Sequence, residues 1–233
     1  MESQVPLIFA EQGHRVFLAK PAGLPVFPPH ARPDGPSLLG RWLDARPDLA
    51  ELPWPAGFEG GIAHRLDNPS SGIVVACITP AALAELRAEF VSGVLRKHYR
   101  FVSTKKVSWT QHSVLRPIAH DRRRRSRMVV QRGANTPHRG RWYPAHTELE
   151  LHADGSWRAV IITGVTHQIR VHTAFVGVAL AGDGLYGGGA LPGDVQAPEG
   201  ADFMLHHERI EGPDWTSPTL APPTWWGAYG SGG

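Results

Sequence analysis

The distribution of apolar and polar residues along the chain predicts many short strands and few helices. Runs rich in β-branched and aromatic residues, bounded by Gly, Pro, Asp or Ser, are typical of strands. The turns between neighbouring runs are clearest at residues 11–14 and 153–156, where they predict hairpins. The predicted strands cover residues 6–10, 15–19, 73–78, 98–103, 128–131, 146–152, 157–162 and 203–210.

Three segments instead carry apolar residues at helical spacing behind a capping residue. In the clearest case Thr79 precedes Pro80, leucines and a phenylalanine follow at helical spacing, and Gly93 comes just after the end. Ser37 and Thr166 are the predicted caps of the other two helices. The predicted helices cover residues 38–44, 80–92 and 167–176.

Runs of strands with irregularly interspersed helices predict an α+β fold, with a mixed or largely antiparallel sheet and flanking helices. With 233 residues the chain is long enough for one large domain or two small ones. Its 21 prolines and 26 glycines imply many turns and argue against a bundle of long helices. The Pro-, Trp- and Gly-rich segment 212–233 is predicted to lie as a coil on the surface.

Composition indicates the setting of the protein more than its function. The longest apolar run is far shorter than a membrane span, and the N-terminus lacks the basic-then-apolar pattern of a signal peptide. A single cysteine, Cys77, excludes an intrachain disulfide and fits the reducing cytoplasm, and its apolar neighbours predict a buried, inert thiol. We therefore expect a cytoplasmic protein with no membrane partner, and nothing in the sequence demands more than a monomer.

The net charge of +3 is modest, but the cations are unevenly distributed. Residues 122–125 are four consecutive arginines, and Arg127, Arg132, Arg139 and Arg141 follow closely. Clustered arginine is typical of a surface that contacts a phosphate backbone. On composition alone, a solvated basic loop explains the same run equally well.

One carboxylate stands where catalytic acids are commonly mounted. Asp67 lies on a turn, followed by Asn-Pro-Ser-Ser-Gly, just before the predicted strand 73–78. Such a turn holds a side chain firmly at the end of a strand, where it can face a cleft. The alternative interpretation is a solvated turn residue with no chemical role.

Four sequence blocks resemble the RluA-type pseudouridine synthases. Residues 64–72, His-Arg-Leu-Asp-Asn-Pro-Ser-Ser-Gly, resemble the family signature His-Arg-Leu-Asp-x-x-Thr-Ser-Gly. Residues 164–172 resemble Gly-Arg-Thr-His-Gln-Ile-Arg-Val-His, residues 182–187 resemble Gly-Asp-x-x-Tyr-Gly, and residues 20–23 match Lys-Pro-Ala-Gly. The blocks occur in the order typical of the family and are distributed over most of the chain.

The resemblance implies the pseudouridine synthase fold, a bent mixed sheet with the catalytic cleft across its middle. It implies a single catalytic domain over residues 1–233, without the small N-terminal RNA-binding module that some members carry. The implied activity is the isomerisation of specific uridines in structured ribosomal or transfer RNA to pseudouridine. Because that reaction is redox-neutral, we expect no cofactor and no metal.

The resemblance also implies roles for individual residues. Asp67 corresponds to the catalytic carboxylate, Tyr99 to the active-site tyrosine of a Lys-x-Tyr motif, and Arg170 to the cation that pairs with Asp67. Arg65 is expected to enter the RNA or to fill the space that the flipped base leaves. His64 either positions Arg65 or satisfies a backbone group. The candidate phosphate contacts are Lys20, Arg127, Arg122, Arg123, Arg124 and Arg125.

Two positions depart from the family pattern near this site. Val165 replaces the family Arg in the block at 164–172, which removes one cation from the cleft region. Ser70 replaces the usual Thr and keeps the hydroxyl group. The first change affects the expected substrate contacts more than the expected chemistry.

Other functions are less well supported by the sequence. The alternative is an RNA-binding or RNA-folding protein of the same fold with little catalysis. His167 and His172 are spaced i,i+5, which does not place two metal ligands on one helix face. Ser71 lacks the Gly-x-Ser-x-Gly setting of a hydrolase nucleophile, and no phosphate-loop or dinucleotide fingerprint occurs.

Overall fold

The computed structural model describes residues 7–193 and 195–230, which build a mixed α+β architecture. The strands are β1 (Ile8–Gln12), β2 (Arg15–Lys20), β3 (Ser71–Cys77), β4 (Arg96–Phe101), β5 (Gln111–Leu115), β6 (Ile118–Asp121), β7 (Met128–Val130), β8 (His138–Tyr143), β9 (His146–Leu151), β10 (Trp157–Ile161) and β11 (Leu205–Glu211). The α-helices are α1 (Leu38–Ala45), α2 (Pro80–Ser92) and α3 (Gln168–Phe175), and short 3₁₀ segments cover Pro47–Leu49, Glu59–Gly61 and Thr224–Gly230.

Eight strands form one sheet in the order β1-β2-β3-β11-β4-β10-β9-β5. β3 and β11 are parallel, whereas the other neighbouring pairs are antiparallel. The mixed sheet confirms the predicted fold class. A second sheet of three strands has the order β7-β6-β8.

Both faces of the large sheet are covered, which explains the unbroken apolar run in β3. Val74 and Ala76 pack into a core cluster with Leu38 and Trp42 of α1. Ile73, Val75 and Cys77 point the other way, into a cluster that includes Leu83 and Leu86 of α2. Alternate residues therefore enter two different cores, so a strand at the centre of the sheet shows no polar face.

The close approach of β11 to β3 requires a glycine. Gly72 has φ of +123°, and a Cβ atom there would overlap the backbone of His207 on β11. A glycine meets both requirements, because it has no Cβ and tolerates this backbone conformation. This contact brings β11 between β3 and β4.

The capping signals of α1 and α2 are confirmed. The Ser37 hydroxyl accepts a hydrogen bond from the Gly40 N–H, and the Thr79 hydroxyl accepts one from the Ala82 N–H. Gly93 ends α2 in the left-handed conformation. Cys77 is fully buried, and burial raises the pKa of its thiol to about 12, as expected for an inert cysteine.

Several boundaries predicted from the sequence are wrong. β1 spans Ile8–Gln12, whereas the predicted strand covers 6–10 and its Pro6 lies outside the described residues. Because β1 ends two residues later than predicted, the hairpin turn shortens to Gly13 and His14. Three strands were not predicted, because their polar or charged composition gives no clear alternation. These strands are β5, β6 and β8.

The segment after β11 is not a coil lying on the surface. Leu220 and Trp226 are buried, and the 3₁₀ segment that carries Trp226 packs against Val102, Ala181 and Met204. The burial of Leu220 and Trp226 attaches this segment to the rest of the protein. None of the helices in the described part of the chain combines the length and apolar character that a bilayer-spanning segment needs.

Candidate active site

Asp67 lies on a tight turn that leads directly into β3. The Ser70 N–H donates to the Asp67 carbonyl oxygen at 3.0 Å, and the strand begins at the next residue. The turn is tied to the loop after β2, because the Gly23 N–H donates to the Asn68 carbonyl at 2.8 Å. The backbone that carries Asp67 is therefore fixed from two sides.

Lys20 provides a further tie and is not a phosphate contact, contrary to the prediction. Its side chain is 2% exposed, and its ammonium donates to the carbonyl oxygens of Pro21, Leu24 and Asn68 at 2.9, 2.6 and 3.0 Å. Those three bonds use all three donors of the ammonium group. Burial lowers the pKa of Lys20 to about 7, against the opposing effect of the Asp67 charge.

Arg170 joins two carboxylates from distant parts of the chain. Its Nη1 donates to Asp67 Oδ2 at 3.1 Å. Its Nε and Nη2 donate to the two oxygens of Asp183 at 2.7 and 3.0 Å, which is a bidentate pair. The expected pairing of residues 67 and 170 is thus present in the geometry, and Asp183 is a member of the cluster to which the sequence analysis assigned no role.

The two carboxylates differ in exposure. The Asp183 side chain is 1% exposed, whereas the Asp67 side chain is 29% exposed. Burial alone would lower the pKa of Arg170, but its hydrogen bonds and charge contacts with Asp183 and then with Asp67 hold that pKa above its ordinary value. The buried pair with Asp183 therefore keeps Arg170 charged and fixed in position. The same guanidinium contacts Asp67, whose carboxylate is partly exposed to solvent.

Asp67 opens into a cleft of about 550 Å³. In the described part of the chain, Asp67 Oδ1 has no hydrogen-bond or ion-pair partner, since both contacts of this carboxylate use Oδ2. One oxygen is thus held by the protein and the other is available to a ligand. The cleft is lined by the turn before β3, by β4 and by the start of α3.

Tyr99 lies in the same cleft, on β4. It is 7% exposed, and its ring stacks on that of His207 with centroids 4.5 Å apart. Burial, reinforced by the Asp67 charge, raises the pKa of Tyr99 well above its ordinary value. The phenol is therefore protonated at neutral pH, and one ring face is already occupied by His207.

His167 is a residue of the cleft that the sequence analysis did not assign. Its φ of 56° is the single positive φ outside glycine among the described residues. The predicted cap at Thr166 is wrong, because α3 starts at Gln168, His167 holds the N-cap position and no described side chain caps the helix. Strained backbone of this kind is concentrated at functional sites, and the His-Gln-Ile-Arg block was the signal that could have identified His167.

A hydrogen-bond chain sets the tautomer of His167. The Met128 N–H donates to the Tyr186 hydroxyl at 2.8 Å, and His167 Nδ1 lies 3.0 Å from the same oxygen. Since no other acceptor for the Tyr186 proton exists among the described residues, that hydroxyl donates to Nδ1. His167 Nε2 then carries the ring proton and faces Asp67 Oδ2 at 3.9 Å. Burial lowers the pKa of His167 despite the Asp67 charge, which keeps the ring neutral at pH 7.

Lys97 is a second unassigned residue of the cleft. It lies two positions before Tyr99 on β4, so strand alternation places both side chains on one face. The Lys97 side chain has no hydrogen-bond acceptor within the described residues, and its ammonium lies 5.4 Å from the Phe90 ring centroid. Burial lowers its pKa to about 8. The Lys-x-Tyr motif contained the information needed to find this residue.

Arg65 and His64 line the cleft in different ways. Arg65 is exposed at its rim and makes no hydrogen bond or ion pair within the described residues. His64 Nε2 accepts the Val75 N–H at 3.1 Å. Of the two roles predicted for His64, the structure therefore shows the hydrogen bond to a backbone group. Burial, with a smaller contribution from the Lys97 charge, lowers the pKa of His64 to about 3.

The predicted basic patch does not share the Asp67 cleft. Arg122, Arg123 and Arg127 line a separate groove beside the three-stranded sheet. Arg124 and Arg125 are exposed in the loop between β6 and β7, outside the residues that line that groove. Over residues 7–193 and 195–230, no group of three His, Cys, Asp or Glu side chains is placed to hold a metal ion.

Comparisons with known proteins agree on one family. A model described as RNA pseudouridylate synthase matches residues 14–175. Ribosomal large subunit pseudouridine synthase D of Xylella fastidiosa is 35% identical over 205 residues, 86% of this chain and 56% of that protein. The protein of the same name from Escherichia coli is 31% identical over 202 residues, 84% of this chain and 56% of that protein. The chain therefore spans a little over half the length of these curated relatives.

Solved structures show the same fold. Human RNA pseudouridylate synthase domain containing 1 superposes with a TM-score of 0.68 at 19% identity, covering 93% of this chain and 83% of that chain. Human RNA pseudouridylate synthase domain containing 4 gives a TM-score of 0.65 at 20% identity, covering 95% and 90%. With a family match that extends over more than half of its 233 residues and includes Asp67, Tyr99 and Arg170, the chain belongs to the RNA pseudouridylate synthase family.

Proposed function

We propose that the protein isomerises uridine to pseudouridine in structured RNA, ribosomal or transfer, with Asp67 as the catalytic carboxylate. The single observation that carries the proposal is that only one of the two Asp67 carboxylate oxygens has a protein partner among the described residues. Arg170 holds Oδ2 at 3.1 Å, Oδ1 has no partner in the described part of the chain, and the Asp67 side chain lines an open cleft. A carboxylate with one oxygen held and one free is suited to attack or to electrostatic stabilisation at a defined point.

The reaction asks little else of the protein. The bond from ribose C1′ to uracil N1 breaks, a bond from C1′ to C5 forms, the proton leaves C5, and N1 ends with a proton. Atoms and electrons balance within the nucleoside, so no oxidant, reductant or metal enters the equation. Asp67 Oδ1 supplies the negative charge or the nucleophile at the sugar or the base, and the cleft holds the detached uracil while it turns.

Arg170 and Asp183 position the acid. Because Asp183 takes two of the three guanidinium donors that are used, Arg170 is oriented before any substrate binds. A guanidinium whose position is fixed in advance needs no reorganisation during the reaction. Asp183 therefore acts as a positioning residue, through Arg170.

Tyr99 and His167 complete the walls around the base. Tyr99 carries a protonated phenol and lines the cleft, and the stack on His207 holds its ring in place. His167 presents its Nε2 proton toward Asp67 and so supplies a neutral donor. Both groups are within the cleft of about 550 Å³, a volume in the usual range for small-molecule sites.

An RNA substrate fits the charges at the cleft rim. A uridine in folded RNA must leave its stack to reach Asp67, and Arg65 stands exposed at the rim with no protein partner among the described residues. A planar guanidinium can stack in the space that the base leaves. The names of the curated relatives favour ribosomal RNA among the possible substrates.

The test is an Asp67→Asn substitution, with Asp34→Asn at an exposed position as the matched control. We expect pseudouridine formation in ribosomal RNA from cells lacking the gene to fall by at least about 10³-fold with Asp67→Asn. RNA affinity should stay equal or rise, because a carboxylate that repels phosphate is removed. Retention of pseudouridine formation by Asp67→Asn would overturn the assignment, and equal activity losses in both variants would point to a general folding defect.

A further inference from the structure

A second cavity, the basic groove, lies on another face of α3 from the Asp67 cleft. Its volume is about 870 Å³, and β7, the loops around β7 and the end of α3 form its walls. In α3, residues 168–170 line the cleft, whereas Val171, Ala174 and Phe175 line the groove. At 100° per residue these two sets point to different sides of the helix. The groove is therefore a site of its own.

The arginines of the groove are not neutralised by the protein. Arg122, Arg123, Arg127 and Arg132 line it, and within the described residues none of them forms an ion pair with a carboxylate. Asp121, the acid in the lining, accepts the backbone N–H groups of Arg123 and Arg124. The Asp121 carboxylate interacts electrostatically with Arg127, but one acid beside four guanidiniums leaves a net positive charge, and an anionic ligand relieves the repulsion among the arginines.

The floor of the groove is apolar and partly aromatic. Met128, Val130, Phe175 and Tyr186 form it. The Arg127 guanidinium lies 5.6 Å from the Tyr186 ring centroid, and that of Arg132 lies 5.9 Å from the Phe175 ring centroid. A cavity with a cationic wall and a flat apolar floor matches the two halves of a nucleotide, the phosphate and the base.

The two arginines nearest the floor differ in how they are bonded. The Arg132 N–H donates to the Thr136 hydroxyl at 2.9 Å, and that hydroxyl also bonds to both backbone groups of Gly133, which fixes the loop. Arg127 Nε is buried and has no hydrogen-bond partner within the described residues. Keeping a buried donor unpaired has a free-energy cost, which is commonly accepted where a ligand uses the group.

Tyr186 connects the groove to the Asp67 cleft. Its ring belongs to the groove lining, while its hydroxyl bonds His167 of the cleft at 3.0 Å. The Arg170 guanidinium lies on the same ring, 5.2 Å from its centroid. The side chains of Tyr186 and His167 thus separate a nucleotide in the groove from a uridine in the cleft. Two nucleotides close together in one RNA chain can occupy sites separated in this way.

We propose that the basic groove binds a second nucleotide of the RNA strand that carries the target uridine, with its phosphate on Arg127 and Arg132 and its base on Phe175. The identity of the strand rests on the proposed function. The groove reads the chemistry common to all nucleotides, because its floor offers stacking surface and few hydrogen-bonding groups. An acidic protein segment would use the arginines but would leave the flat apolar floor without a partner.

The test uses the full chain and a fluorescein-labelled ten-nucleotide oligouridylate, with fluorescence anisotropy as the readout. We expect the double variant Arg127→Gln/Arg132→Gln to bind the oligouridylate about 10- to 100-fold more weakly and to lower the salt slope by about 2. Arg41→Gln, an exposed arginine on α1, is the matched control and should change neither value by much. Unchanged affinity in the double variant overturns the proposal.

A second pair of measurements separates the base from the phosphate. Phe175→Leu should weaken oligouridylate binding about 10-fold while leaving binding of an abasic ten-nucleotide ribose phosphate unchanged, because only stacking is removed. Equal weakening of both probes would refute the base site. Competition by polyglutamate as strong as that by unlabelled oligouridylate would instead assign the groove to an acidic protein partner.

Crosslinking provides a readout that does not depend on the folding of any variant. An oligonucleotide with 4-thiouridine should crosslink on irradiation to the wild-type segments 127–137 or 175–186. Crosslinks found elsewhere and absent from these segments would contradict the proposal. These readouts report binding alone, so a groove that fails them is distinguished from loss of the proposed function, which is read as pseudouridine formation with Asp67→Asn.

Discussion

The Asp67 cleft and the basic groove lie on different faces of one short helix, yet they treat charge in opposite ways. At the cleft, Arg170 is locked between Asp67 and Asp183, and Lys20, which supports the turn that carries Asp67, is saturated by three carbonyl oxygens. In the groove, four guanidiniums stand without a carboxylate partner among the described residues. Chemistry demands groups fixed before the substrate arrives, whereas binding of a polyanion needs cations left free for it.

This contrast explains why a basic run and a buried ion pair can coexist so close together. A carboxylate facing the RNA weakens phosphate binding, and the arginines of the groove offset that repulsion from a separate cavity. The free energy of RNA binding in the groove can then hold the nucleoside next to Asp67, although the carboxylate repels the RNA phosphates. The variants below test this division of labour.

The largest effect is expected where the cleft network is buried. Asp183→Asn removes the bidentate partner of Arg170 and leaves a buried cation, so we expect the free energy of unfolding to fall by about 3–5 kcal/mol. Asp67→Asn, at a half-exposed partner of the same guanidinium, should change it by less than about 1 kcal/mol. Urea denaturation measures both. Equal losses would show that the two carboxylates are not distinguished by burial as described.

An intermediate effect is expected at Lys97, the buried amine of the cleft. Lys97→Met should raise the free energy of unfolding by about 1–3 kcal/mol at pH 7, because burial disfavours the charged amine. The same variant should lower the rate of pseudouridine formation. The folded-state pKa of about 8 lies below the ordinary 10.5, so the unfolded chain binds more protons between these values. The advantage of the variant should therefore be constant below pH 8 and disappear by pH 10.5.

Lys105→Met, at an exposed position, is the matched control for this variant and should show no such pH dependence. Stability curves in urea at several pH values between 6 and 10.5 provide the measurement. A Lys97→Met protein that is less stable than the wild type throughout would mean that the ammonium has a stabilising role instead.

The smallest effect is expected outside both cavities. Arg124→Gln/Arg125→Gln removes two exposed cations of the loop between β6 and β7, outside the groove lining. We expect RNA affinity to fall a few-fold at low salt and hardly at all at high salt, since screened charges act only over about 10 Å. Anisotropy titrations at two salt concentrations decide this. A loss as large as that of Arg127→Gln/Arg132→Gln would erase the distinction between groove and loop.

Local signals in the sequence were enough for α1 and α2, and the family resemblance was enough to pair Asp67 with Arg170. Ser37 and Thr79 act on backbone groups three residues away, so their caps could be identified from the sequence alone. Asp67 and Arg170 were paired by resemblance and lie 3.1 Å apart. The role of Asp183 could not be derived in the same way, because its bidentate contact depends on how the loop after α3 folds back against that helix.

Other features could not be predicted from the sequence pattern, for physical reasons. Lys20 has the charge of a phosphate ligand, but three carbonyl oxygens that converge only in the folded state claim its ammonium. β8 carries two arginines and a glycine, a composition that hides its strand character. The start of α3 was misplaced because His167 adopts a left-handed backbone, for which histidine has no strong preference.

The position of β11 has a consequence for how the protein reaches its working state. Residues 71–72 pair with residues 206–207, and this strand alone joins the β1–β2–β3 half of the sheet to the half that begins at β4. Contacts that close so long a loop form late, which predicts slow assembly with two strand edges transiently unpaired. Until that final strand is inserted, Asp67 and Tyr99 belong to two separate halves, so catalytic competence should emerge with the slowest folding step.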